Sequence, residues 1–185
     1  MSAPTSEFNQ YPWYRVIVPD SEQQPTAIEQ GDILENFPLL FSVDPSKYPD
    51  KTNPAERVYC DLVILSQSCD LADGGIDQVV TCPILIRSNF DGDHPVSRKG
   101  GMENLRKGKF AAFQLLNKCD LQNFEREWRI VDFGEIHSIP IFEVREHLSR
   151  APHLRLLPPY REHLSQAFAR FFMRVGLPLD IPRFD

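Results

Sequence analysis

Asp61-Leu-Val-Ile-Leu-Ser-Gln-Ser-Cys-Asp-Leu71 is the most strand-like apolar run in the sequence, and it ends in a polar cluster. Four consecutive aliphatics, Leu62 to Leu65, read as a strand covered on both faces, because a half-buried strand would alternate. The cluster Ser66, Gln67, Ser68, Cys69 and Asp70 then stands where a rigid strand can present side chains to a cleft. Immediately after it, Asp73-Gly74-Gly75 reads as a turn and Gln78 to Ile86 as a second strand rich in β-branched residues. So short a connection makes the pair antiparallel, since a parallel crossover needs a dozen or more residues.

Working outward, Val58 to Ser66 is the central strand. On its N-terminal side, Phe37 to Glu56 carries Pro38, Pro45, Pro49 and Pro54 among polar residues, and reads as a long loop, functional or mobile. Gly31 to Leu34 reads as a short strand, Ser21 to Gln30 as a polar connection, Trp13 to Val18 as the first strand, and residues 1–12 as a loose arm. On the C-terminal side, Asn89 to Pro95 is a loop, followed by a helix over Met102 to Lys107. Phe110 to Leu116 and Trp128 to Phe133 are strands, and Ile141 to Leu148 has helical spacing. The clearest helix covers residues 159–175. Pro158-Pro159 opens it, Leu164, Ala167, Phe168, Phe171, Phe172 and Val175 share one face, and Gly176 stops it. The expectation is one α+β domain over residues 1–185, with a β-rich core at 13–140 and a helical extension at 141–185 packed on it.

With 185 residues, 42% apolar and 25% charged, the composition is that of a soluble globular protein with a real core. A net charge of −6 argues against a protein that coats nucleic acid over most of its surface. One segment departs from that balance: residues 98–109 hold the cations Arg98, Lys99, Arg106, Lys107 and Lys109 against the single anion Glu103. Phosphate contacts need only such cations, so this is the candidate nucleic-acid segment. The first ten residues lack a basic stretch followed by an apolar run, and nowhere do about 18 apolar residues run together. A cytoplasmic protein without a membrane span is expected. The four cysteines, Cys60, Cys69, Cys82 and Cys119, are then reduced thiols. None lies two to four residues from another, which is the usual spacing of zinc ligands, so no metal is expected. No phosphate-loop glycine spacing is present either, and no cofactor is expected.

Within the polar cluster, Cys69 is the one strong nucleophile by type, with His94 or His137 as bases that would have to come from elsewhere in the fold. Its neighbour Asp70 disfavours a thiolate. The plainer reading makes Cys69 a small buried residue at a strand end, slow to react until the protein unfolds, and Asp70 the cap of a turn. Ser66 and Ser68 lack the Gly-x-Ser-x-Gly elbow of a hydrolase, which leaves Gln67 and Ser68 as ligand-binding candidates.

Gly31-Asp32-Ile33, a long connection, an apolar strand ending Val63-Ile64-Leu65-Ser66, and a next strand with Pro83 together resemble the MazF/PemK toxins, over residues 31–87. The resemblance implies a curved, mainly antiparallel SH3-like β-barrel. It also implies a bacterial toxin–antitoxin or defence setting, RNA cleavage, and a protein partner that neutralises it. The family's Arg-Pro pair falls here on Cys60 and Asp61, with Arg57 the nearest arginine, and its second-strand hydroxyl falls on Leu85. Cys60 cannot donate a fork of N–H groups to a phosphate, and Leu85 offers no oxygen. The reading is therefore a non-catalytic binding module of this barrel type with a protein partner. The alternatives are a ribonuclease with a rebuilt site or an enzyme using Cys69, with Arg57, Ser66, Cys69 and Asp70 as the candidate catalytic residues.

Overall fold

The computed structural model describes residues 11–19, 27–42, 55–72 and 75–173. The first ten residues of the 1–12 arm, most of the Ser21 to Gln30 and Phe37 to Glu56 connections, the Asp73-Gly74 part of the turn and the chain beyond Met173 lie outside the described residues. Among the described residues eight strands and four α-helices follow in the order β1 (Tyr14–Ile17), β2 (Ile33–Ser42), β3 (Ala55–Ile64), α1 (Ser68–Ala72), β4 (Gln78–Ile86), α2 (Gly101–Arg106), β5 (Phe113–Leu116), β6 (Arg129–Asp132), β7 (His137–Pro140), α3 (Ile141–Ser149), β8 (His153–Leu156) and α4 (Tyr160–Phe172), with a 3-10 turn at Arg87–Asn89 after β4.

The fold is α+β with antiparallel sheets. Six strands form one sheet in the order β2-β3-β4-β6-β5, with β7 pairing β4 beside β6, while β1 and β8 form a separate two-stranded sheet. Every described strand pair is antiparallel. The three segments expected to share a sheet, Gly31 to Leu34, Val58 to Ser66 and Gln78 to Ile86, do so as β2, β3 and β4. No described ladder joins β2 to β5, so the sheet is open.

Consecutive aliphatics in β3 have the predicted consequence. Leu62, Val63 and Ile64 are wholly buried, with Val63 and Leu65 in one apolar cluster and Leu62 and Ile64 in another on the opposite face. On the first face lie the β1–β8 pair and Leu164 of α4, with Ala167, Phe168 and Phe171 packed at the margin. On the second lie Leu71 of α1 and Val144 and Leu148 of α3. Trp13 stacks on Tyr160 at 3.7 Å between ring centroids, fastening the residue before β1 to α4.

Three expectations change. The loop over 37–56 is much shorter, because β2 continues to Ser42 and β3 starts at Ala55. Pro38 misled the sequence reading. It pairs with Tyr59 at the sheet's edge strand, where a missing N–H is tolerated. The extension 141–185 is not wholly helical. His153-Leu-Arg-Leu156 is a strand with all four residues buried, although two are polar. Finally, the strand end at Ser66 leads into a short helix, α1, where only a turn was expected.

Gly31 and Gly101 are glycines for steric reasons. Gly31 has φ +87°, and a Cβ there would stand 3.1 Å from Leu156 Cβ. Its N–H donates to Ile64 O and its carbonyl accepts from Leu156 N, both at 2.9 Å, so one residue stitches β3 to β8. A Cβ on Gly101 would fall 2.3 Å from the carbonyl oxygens of Pro95 and Val96, so the loop before α2 lies directly against that helix.

Candidate functional site

The polar cluster after β3 is a structural corner. Ser66 Oγ accepts a hydrogen bond from Val80 N–H at 2.9 Å, and Ser68 Oγ accepts one from Gln30 N–H at 3.1 Å. The buried Gln30 side chain donates to Leu65 O at 2.7 Å, closing the corner from behind. Both hydroxyl oxygens thus satisfy backbone N–H groups that would otherwise be left unpaired. Cys69 is exposed, against expectation. The cause is α1: at 100° per residue, positions 69 and 71 point to nearly opposite sides, and Leu71 takes the buried one. The Cys69 sulfur has Gln67 Oε1 at 3.7 Å and Asp70 Oδ1 at 3.6 Å, an acidic and amide setting rather than a cationic one.

The other candidates do not come to it. Arg57 is exposed and pairs with Leu40. Ser66 lies nine positions beyond Arg57 along extended chain, about 30 Å at strand rise. His137 contacts Glu135 at 3.2 Å and the Phe41 ring, while His94 lies among Phe90 and Phe113. Cys60 is half-buried opposite Phe37, and its thiol is pushed up to about 11 by burial and then by the Glu135 and Asp61 carboxylates. Leu85 is half-buried opposite Ile130. Among the described residues no three His, Cys, Asp or Glu side chains gather as a metal set, and no helix is long and apolar enough to cross a membrane.

Two charge clusters escaped the sequence reading. Asp32 has no exposed surface, and Arg155 holds it bidentately, Nε to Oδ1 at 2.5 Å and Nη2 to Oδ2 at 2.9 Å. Arg155 also donates to Ala27 O at 2.7 Å and to Glu29, which in turn pairs with Arg161 at 3.1 Å. His153 Nε2 stands 3.3 Å from Asp32 Oδ1. Burial alone would raise the Asp32 carboxyl. The contacts with His153 and Arg155 and the Arg155 charge outweigh it and hold the carboxyl below its ordinary value. This cluster clasps β2, β8 and α4, and nothing of Asp32 is open to a ligand.

In the second cluster Glu35 takes Arg126 bidentately, at 2.8 and 2.5 Å, and Arg129 Nη1 at 3.3 Å. Arg129 is almost wholly buried with its guanidinium 5.6 Å from the Tyr14 ring centroid, and its Nε and Nη2 have no hydrogen-bond partner among the described residues. Tyr14 donates to Asn117 O at 2.7 Å, and burial pushes its hydroxyl up to about 12 against the nearby Arg129 charge. A cavity of about 340 Å³ has Trp13, Tyr14, Asn117 and Cys119 in its wall.

Two open surfaces stand out among the described residues. One is the far half of the β2–β3 hairpin, beyond the last β3–β4 pair at Asp61↔Ile84. Pro38 and Tyr59 are directly opposite, as are Leu40 and Arg57, so the four side chains share one face. Leu40 is 71% and Tyr59 56% exposed. The other is a groove of about 660 Å³ between the end of β4, α2 and the start of β6, where Arg87, Arg106, Met102 and Trp128 meet. The expected basic segment therefore contributes Arg106 to a groove wall. Arg98, Lys99, Lys107 and Lys109 are exposed on the chain around it.

No family model matches this chain, and neither does any curated protein or solved structure.

Proposed function

We propose that this chain is a non-catalytic binding module whose partner is a protein, held on the face of the β2–β3 ribbon. The observation that carries it is the exposure of Pro38, Leu40, Arg57 and Tyr59 side by side on a two-stranded extension that no other described strand continues. Tyrosine and arginine around an aliphatic centre are the residues that anchor protein interfaces, because they combine large contact area with directed hydrogen bonds. The paired backbone makes the face stiff, which lowers the ordering cost of association.

The same proposal takes residues 31–87 as a divergent MazF/PemK-like barrel segment in a bacterial toxin–antitoxin or defence setting. Support comes from the antiparallel succession β2-β3-β4 after Gly31-Asp32. It also takes the ribonuclease chemistry of that family as lost. Cys60 and Leu85 stand where arginine and hydroxyl are needed, and Arg57 is about 30 Å of strand away from Ser66. The test is a panel of single-stranded RNA substrates incubated with purified protein and with Arg57→Ala. No cleavage is expected from either. Cleavage that disappears in Arg57→Ala would overturn the proposal and make Arg57 part of a rebuilt site.

A further inference from the structure

We infer that the groove between β4, α2 and β6 binds single-stranded nucleic acid, with Trp128 as a stacking platform and the surrounding cations on the phosphates. This rests on reading the chain as a binding module, but concerns a surface separate from the ribbon.

The ladder that builds the groove runs Ile84↔Val131, Leu85↔Ile130, Ile86↔Arg129. Just past that ladder stand Arg87, where the chain leaves β4 in a 3-10 turn, and Trp128, the residue before β6, and both line the groove. Trp128 is 40% and Ile86 48% exposed, although an indole of that size is ordinarily turned into a core. Met102 and Leu115 complete an apolar floor. Arg87 donates to Ser97 O at 3.0 Å, which ties the groove wall to the turn carrying Arg98 and Lys99.

Charge decides what such a floor accepts. Arg87, Arg98, Lys99 and Lys109 have no carboxylate partner among the described residues. Two carboxylates also face the groove. Glu103 is already held by Arg106 at 2.7 Å and Lys107 at 3.0 Å, and hydrogen bonds from those two keep its carboxyl down at about 2. Glu127 is paired with Lys118 at 2.5 Å. What is left over is positive, on a chain whose net charge is −6. An aromatic face flanked by unmatched cations suits a flexible polyanion with π-faces. In a duplex the bases are stacked on each other and cannot reach Trp128.

The experiment is fluorescence anisotropy of labelled oligo(dT) and oligo(U) with the full chain, across a salt series. Binding should appear at low salt and weaken log-linearly with salt, with a slope of about −0.7 per phosphate contacted. Trp128→Ala should weaken it about ten-fold, a stacking contribution of about 1.4 kcal/mol, with the slope unchanged. Trp128→Phe should keep most of the affinity. Arg87→Ala should flatten the slope by about 0.7. Should Trp128→Ala fail to fold by circular dichroism, Trp128→Phe and Arg87→Ala carry the test. Absence of binding at low salt, indifference to Trp128, or equal displacement of the oligonucleotide by poly-glutamate would overturn the inference. The last outcome would assign the groove to an acidic protein segment. Cleavage of the bound oligonucleotide would overturn the non-catalytic reading and leave this one standing.

Discussion

Cys69 and Leu71 are two positions apart in a five-residue helix and have opposite environments, one exposed and one buried. That contrast makes Cys69 the accessible thiol of the four. Cys82 is wholly buried and its thiol is pushed up to about 12 by burial and by Asp132 and Glu135, Cys119 is buried, and Cys60 is half-buried. Alkylation at neutral pH, followed by peptide mass mapping, should therefore modify Cys69 first in the folded protein. Cys82 and Cys119 should react only after denaturant is added. Protection of Cys69, or labelling of all four at one rate, would contradict this assignment. Loss of function on alkylating Cys69 alone would reopen the cysteine-dependent alternative.

The β2–β3 ribbon and α4 should respond to substitution in opposite ways. In α4, Leu164 is 1% exposed within the main apolar cluster, whereas Phe172 at the last turn is 48% exposed. Leu164→Ala should cost about 2–5 kcal/mol of stability, the usual penalty for emptying a closed core position. The ribbon face makes no such demand. A double substitution Leu40→Ser and Tyr59→Ser should change stability by no more than about 1 kcal/mol, counting about 0.5 for each surface position. Urea melts of the two variants measure both. A ribbon variant as damaging as Leu164→Ala would mean that this face packs on the chain itself, and the proposed partner surface would have to be abandoned.

At the scale of the whole molecule, the Asp32 clasp joins the two sheets and α4, so its ionisation is coupled to global stability. The folded carboxyl lies below its unfolded value. The clasp therefore contributes fully above the ordinary aspartate pKa near 3.9, and loses that contribution as pH falls through the lower folded value. Asp132 works the other way. Burial raises its carboxyl, so ionisation of Asp132 costs some stability as pH rises past the ordinary value. Asp32→Asn should lower stability at neutral pH by about 3 kcal/mol, because Arg155 is left buried with only Glu29 as a charged partner. The variant's melting temperature should also fall less steeply than the parent's as pH drops below about 4, because the parent loses this charge as pH falls through the folded value and the variant has none to lose. An unchanged acid profile would remove Asp32 from the titration.

The central strands, the antiparallel pairing of β3 with β4 and the position of α4 were determined by the sequence itself. Four adjacent aliphatics demand cover on two faces, a short connection forbids a parallel crossover, and apolar residues at helical spacing leave little choice. β8 was hidden because His153 and Arg155 read as surface residues. Their burial depends on Asp32, 123 positions from Arg155, and no local window contains both. The ribbon was hidden by Pro38, which signals a loop unless its strand is known to lie at an edge. α1 is too short to show a period, and so Cys69 was misplaced. The basic segment was legible as charge, but its floor was not. Arg87, Met102, Leu115 and Trp128 come from four separated stretches. Only the tertiary structure brings an indole and unmatched cations together, because side-chain proximity is set by the sheet register rather than by spacing along the chain.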